Sequence, residues 1–226
     1  MIAPDMIGFG ESDPWPHDTL GLDQEARIIG RLLDLFDGPA HLVGHSFGAT
    51  IGLKLARLFP ARFASLTVFE PIPYRMLDYA GESELFAEID AMGCRFLERF
   101  EAEGPEAGAE VFGHYWLGKA GWEKLPEPAR RAIAEGAPML RLEILAKLAD
   151  GTRFEDFGAL KVPTLFVSGE TSRPVGRRIA ELFVEAMPAA HRCVIPGNHM
   201  APASDPGPFA RVVIDHIVQH RAPRPL

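Results

Sequence analysis

A serine held between two glycines, Gly44-His45-Ser46-Phe47-Gly48, is the stretch of this 226-residue chain with the plainest chemical meaning. The pattern glycine-x-serine-x-glycine presents a nucleophile only where a strand turns at once into a helix. Both neighbours fit. Ala40-His41-Leu42-Val43-Gly44 reads as a short buried strand, and residues 47–59 carry a helical pattern closed by Pro60. On such a turn the glycines spare the backbone a Cβ clash and the hydroxyl projects from the sheet. The helix N-terminus beneath it favours negative charge. Ser46 is therefore the candidate nucleophile for acyl transfer, and the backbone N–H of Phe47 a candidate donor to the oxyanion. Side chains of adjacent residues diverge on so sharp a turn, which gives His45 a structural role. A serine hydroxyl is a weak nucleophile near neutral pH and needs a base, for which a neutral imidazole has the right pKa.

The elements that must position this chemistry alternate. Residues 6–20, rich in Gly, Pro and Asp, read as a loop. An amphipathic helix follows, with Ile29, Leu32, Leu33 and Phe36 on one face, Asp23 as its N-cap and Gly38-Pro39 as its end. After the strand and helix around Ser46, Leu66-Thr67-Val68-Phe69 reads as another strand. Short connections between strand, helix and strand imply a mostly parallel sheet flanked by helices, an α/β fold. Residues 75–150 break the rhythm: helical patterns at about 83–103, 105–118 and 126–149, with no strand signal, read as an inserted all-helical cap. Strands at 164–168 and 191–195, and helices at about 174–187 and 206–220, then resume the α/β pattern. The expected parts are a core segment 1–74, a cap 75–150 and a second core segment 151–226.

Composition narrows the function classes. A formal charge of -8 with scattered arginines argues against nucleic acid or anionic membrane as partner, and leaves a small-molecule substrate. Cys94 and Cys193, far apart in sequence, suggest neither a disulfide framework nor zinc ligation. No metal and no organic cofactor is expected. No apolar run reaches membrane-span length and the N-terminus does not read as a signal peptide, so a cytoplasmic location is the default. Oligomeric state is not legible.

His41-Leu42-Val43-Gly44-His45-Ser46-Phe47-Gly48-Ala49 closely resembles the nucleophile elbow of the α/β-hydrolase superfamily. Ala3-Pro4-Asp5-Met6-Ile7-Gly8-Phe9-Gly10-Glu11-Ser12-Asp13 resembles the segment leaving that family's fourth strand, and residues 158–170 and 195–206 resemble its late strands and histidine loop. The resemblance implies that His199, in Ile195-Pro196-Gly197-Asn198-His199-Met200, is the general base. His191, His216 and His220 are ordinary surface residues by default. The family usually places its acid three residues after the glycine ending the next-to-last strand, which here is Ser172. Another carboxylate must serve. Glu70, at the end of the strand after the elbow, is the first choice, and it keeps the chain order serine, acid, histidine. Glu170 is the alternative. A carboxylate there would hold the imidazole tautomer and stabilise the imidazolium.

The family's first three strands, which carry the second oxyanion donor, have no counterpart here. A chain opening at this segment is expected either to start at an internal methionine of a longer protein or to be a short form with altered packing. On either account the 226 residues alone are expected to be weak or inactive, since one lost oxyanion donor can cost about 10²–10³ in kcat. In the cap, Phe112, Tyr115, Trp116 and Trp122 are candidates to line an apolar pocket over Ser46. These features point to a serine hydrolase acting on a small, fairly apolar ester or related acyl compound through an acyl-serine intermediate. The competing readings are hydrolytic C–C bond cleavage on the same fold and a degenerate, non-catalytic binding protein.

Overall fold

The computed structural model of the chain describes residues 1–221. Four strands form one parallel sheet in the order β1-β2-β3-β4. They are β1 (Ala40–His45), β2 (Phe63–Phe69), β3 (Thr164–Gly169) and β4 (Ala190–Ile195). The register sets Gly44 beside Val68, His45 beside Phe69, and Gly169 beside Ile195. The strand ends that carry chemistry therefore open together at one end of the sheet.

Alternation along β2 and β3 divides the core in two. Leu66, Val68 and Phe166 face one large apolar cluster, which also holds residues of α1 (Leu22–Gly30), α2 (Phe47–Leu58) and α7 (Pro174–Ala186). Phe69 and Val167 face the other side, against Phe209, Val212 and Val213 of α8 (Pro206–Gln219). Both faces are covered, as a parallel sheet requires. Residues 75–149 hold α3 (Arg75–Tyr79), α4 (Ser83–Glu103), α5 (Pro105–Lys124) and α6 (Glu127–Ala149), and no strand.

Some boundaries differ from expectation. The first helix leaves α geometry after Gly30 and continues as a 3-10 turn over Arg31–Leu35. Its N-cap is Gly21, and Asp23 is bonded to Arg57 of α2 at 2.6 Å instead. The α5 helix runs to Lys124 but breaks at Gly118, whose φ of 72° and ψ of 159° are open to glycine and strained for other residues. A buried lysine closes the cap's return to the core. Lys54 Nζ on α2 lies 2.7 Å from Asp150 and 3.2 Å from Asp23, and donates to the Thr152 hydroxyl.

Strand β1 lies at an edge. Among the described residues no strand borders its free side, and residues 1–20 run as turns and coil. An open apolar groove of about 470 Å³ lies there, lined by Met1, Ile2, Leu32, Phe36, Val43 and Ile51 among others. No helix among the described residues is long and apolar enough to cross a membrane.

Candidate active site

Ser46 sits at the junction of β1 and α2 with φ 54° and ψ −117°. Glu70, one residue past β2, has φ 43°. These are the two non-glycine residues with positive φ among those described. Strain of this kind costs on the order of 1–3 kcal/mol per residue and persists only where the surroundings enforce it. Here they do: Ser46 N–H donates to Phe69 O at 2.9 Å, and Glu70 N–H to Val167 O at 3.1 Å. Gly44 is required for contact, since a Cβ there would lie 2.7–2.8 Å from backbone atoms of Gly48 and Ala49. Gly48 is not required in that way, because a Cβ there meets nothing within 4 Å.

The side chains of Ser46, His199 and Glu70 form one chain of hydrogen bonds. Ser46 Oγ lies 3.0 Å from His199 Nε2, and His199 Nδ1 lies 2.8 Å from Glu70 Oε2. With Nδ1–H donating to the carboxylate, the Nε2 lone pair faces the serine hydroxyl. The other carboxylate oxygen accepts the Gly169 N–H at 2.8 Å. Glu70 and His199 are buried, and Ser46 is half-buried. Glu170, by contrast, is exposed and shows only a backbone bond, its N–H to Ile195 O. Ser172 is buried with its hydroxyl unpartnered.

Neighbouring segments hold this arrangement. Gly176, in the first turn of α7, leaves room for the acid: a Cβ there would stand 3.0 Å from Glu70 Oε2. His45 donates from Nε2 to the His199 carbonyl at 2.8 Å and so ties the elbow to the histidine loop. Burial and the nearby His199 ring pull the His45 pKa down to about 4, which keeps it neutral. Within the loop, Asn198 Oδ1 accepts the Met200 N–H at 2.9 Å.

The cap aromatics divide. Trp116 is buried and stacks on the His199 ring, 4.0 Å between centroids at 25°. Tyr115 packs edge-on against Trp116 and forms a clip: its hydroxyl donates to Glu88, while Arg173 covers its ring at 4.0 Å and donates to its carbonyl. Phe112 lies 6.3 Å from Trp116. Trp122 does not join them. Its ring fills the space over Gly113 and clusters with Ala109 and Ala134 among the helices of residues 105–149, rather than with the aromatics beside His199 as expected. One smaller expectation changes as well. His216 is buried and bonded to Thr67 at 2.9 Å, with its pKa pulled down to about 4 by burial.

The sequence reading missed a buried ionic cluster near the elbow: Glu143 and Lys147 on α6, and Glu25 on α1. Its trace was an acid and a base four residues apart within an apolar stretch of helix. Among the described residues no group of His, Cys, Asp and Glu is arranged to hold a metal ion.

Known proteins share this architecture. The sequence profile described as alpha/beta hydrolase fold matches residues 1–93. Lipase LipV of Mycobacterium tuberculosis is 39% identical over 72 residues, 31% of this chain and 27% of the lipase. A protein of Stutzerimonas stutzeri named as a carbamate hydrolase, RutD, is 25% identical over 97% of this chain and 82% of its own length. A thermophilic esterase from Thermogutta terrifontis superposes with a TM-score of 0.74 at 20% identity, covering 97% of this chain and 79% of the esterase. The chain thus spans about a quarter of the lipase and about four fifths of the other two.

Proposed function

Since this chain belongs to the α/β-hydrolase fold superfamily, we propose that it is a serine hydrolase acting on a small, fairly apolar ester or related acyl compound. The observation that carries this reading is the continuous relay from Ser46 Oγ through His199 to Glu70, with contacts of 3.0 and 2.8 Å. Each contact has the polarity that activation of a hydroxyl needs.

In the proposed reaction His199 Nε2 accepts the Ser46 proton as Oγ bonds to the acyl carbon. The carbonyl π-electrons move onto oxygen, and the Phe47 N–H at the start of α2 donates to that oxyanion. Glu70 stabilises the imidazolium without taking its proton. As the tetrahedral species collapses, the bond to the alcohol breaks and His199 gives the alcohol its proton. A water molecule then repeats the sequence on the acyl-serine and releases the acid. The stack of Trp116 on His199 shields the imidazolium from solvent and closes the centre from the cap side.

A fluorophosphonate probe tests the reading. Stoichiometric labelling at Ser46, found by intact mass and peptide mapping and absent in Ser46→Ala, is the expected result. A folded chain that takes up no label overturns it.

A further inference from the structure

Next to the reaction centre lies a set of polar groups that the proposed chemistry does not use. Lys147, near the C-terminal end of α6, is 1% exposed. Its ammonium lies 5.1 Å from the centre of the Phe47 ring and 5.0 Å from that of Tyr74. Phe47 follows the nucleophile directly, so one residue supplies the candidate oxyanion donor through its backbone and meets the ammonium with its ring. Tyr74 is also fully buried, and its hydroxyl has no hydrogen-bond partner.

The ammonium is poorly matched where it stands. Its ion-pair partner among the described residues is Glu143, at 3.7 Å, longer than a hydrogen bond. A structural buried pair would normally sit near 2.7–2.9 Å with its remaining donors satisfied. The acids around it lean toward the neutral form. Burial pushes Glu25 up to about 8, helped by the nearby Glu143, and pushes Glu143 up to about 7. Burial pulls Lys147 down, which an anionic ligand would reverse. An ammonium with three donors and a phenol O–H, both dry and short of acceptors, call for an acceptor-rich ligand.

We propose that Lys147 and Tyr74 form a carboxylate-binding subsite beside Ser46, so that the preferred substrates carry a carboxylate at the far end of a short apolar acyl chain. This deepens the serine-hydrolase reading and rests on it. The apolar stem would run along Phe47, and the carboxylate would take its hydrogen bonds from the ammonium and the phenol. Anchoring the acyl group at both ends is a standard route to orientation.

Binding tests the subsite separately from turnover. Monomethyl adipate carries one carboxylate and dimethyl adipate none. Calorimetry with Ser46→Ala protein, which prevents hydrolysis, is expected to show at least tenfold tighter binding of the monoacid. Adding Lys147→Met is expected to remove that preference while leaving dimethyl adipate within about twofold. Equal affinities for the two ligands in the Ser46→Ala protein overturn the proposal, as does a folded Lys147→Met protein that keeps the preference. If Lys147→Met does not fold, Tyr74→Phe decides: a selective loss of about threefold or more for the monoacid supports the subsite, and no change overturns it. Fluorophosphonate labelling of Ser46 is read independently. A labelled enzyme with no monoacid preference loses only the subsite, and an unlabelled one that binds the monoacid loses only the hydrolase reading.

Discussion

Replacing Glu70 by glutamine keeps the size of the side chain and changes what it can accept. In the native arrangement one carboxylate oxygen receives His199 Nδ1–H at 2.8 Å and the other receives the Gly169 N–H at 2.8 Å. Glutamine can satisfy one of these donors with its oxygen, and must turn its NH₂ toward the other. If the oxygen faces Gly169, the NH₂ meets Nδ1. The ring then keeps its proton on Nε2, facing Ser46, and cannot act as base. If the oxygen faces Nδ1, the NH₂ opposes the Gly169 N–H in a buried site, at a cost of about 1–3 kcal/mol. The first orientation avoids the clash and selects the wrong tautomer. The expected loss in kcat is about 10³–10⁴, or about 4–5.5 kcal/mol of barrier. The assay is hydrolysis of a short-chain 4-nitrophenyl ester at 25 °C, with folding checked by circular dichroism. Glu170→Gln, which alters an exposed side chain, is expected to stay within about twofold of the parent. A Glu70→Gln protein with more than a tenth of parental kcat refutes the tautomer argument. If Glu170→Gln is the variant that collapses, the acid role moves there.

Three further outcomes follow from the geometry. Trp116→Leu removes the ring stacked at 4.0 Å on His199. An aromatic face on a buried cation contributes about 1–2 kcal/mol, so kcat/KM is expected to fall about tenfold; a change under twofold on ester substrates refutes it. Glu25 has its carboxyl raised to about 8 in the folded protein against 4.5 ordinarily. Its stabilising contribution is complete below about pH 4.5 and is lost as pH rises through about 8, for a total of roughly 3–5 kcal/mol. The parent should therefore lose on the order of 10 °C in Tm between pH 5 and 9. Glu25→Gln should flatten that slope, and parallel slopes in calorimetry refute the assignment. Lys54→Ala strands Asp150 of the cap's return segment, bonded at 2.7 Å, and should cost about 3–5 kcal/mol in urea unfolding. A loss below 1 kcal/mol contradicts the clasp.

Local chemistry was enough to place the elements and the elbow. The run Ala40–Gly44 reads as a strand from its length and apolar content, and Pro60 had to end the helix that follows; its expected burial was not met, because β1 lies at the sheet edge and leaves Val43 exposed. Gly44 announced close contact, and the structure puts helix backbone where its Cβ would be. Helix limits were legible only to within a few residues. Gly118 breaks α5 through a backbone choice that its neighbours do not advertise.

What required the tertiary structure is everything that depends on which strand ends meet. Sequence alone left Glu70 and Glu170 both open, since each follows a strand. The parallel register sets the end of β2 against the ends of β1 and β3, and Glu70 at positive φ turns its carboxylate under His199 while Glu170 turns to solvent. The same holds in the cap. Four aromatic residues lie within eleven positions, yet Trp116 covers the imidazole and Trp122 fills a gap in its own helices. Lys147, Glu143, Glu25 and Tyr74 are spread over 123 positions of chain and come together only when α6 packs on α1 and the end of β2. Periodicity specifies which face of an element is buried. Which distant group it is buried against is set by packing, because burial is non-directional until the partners' shapes and charges are in place.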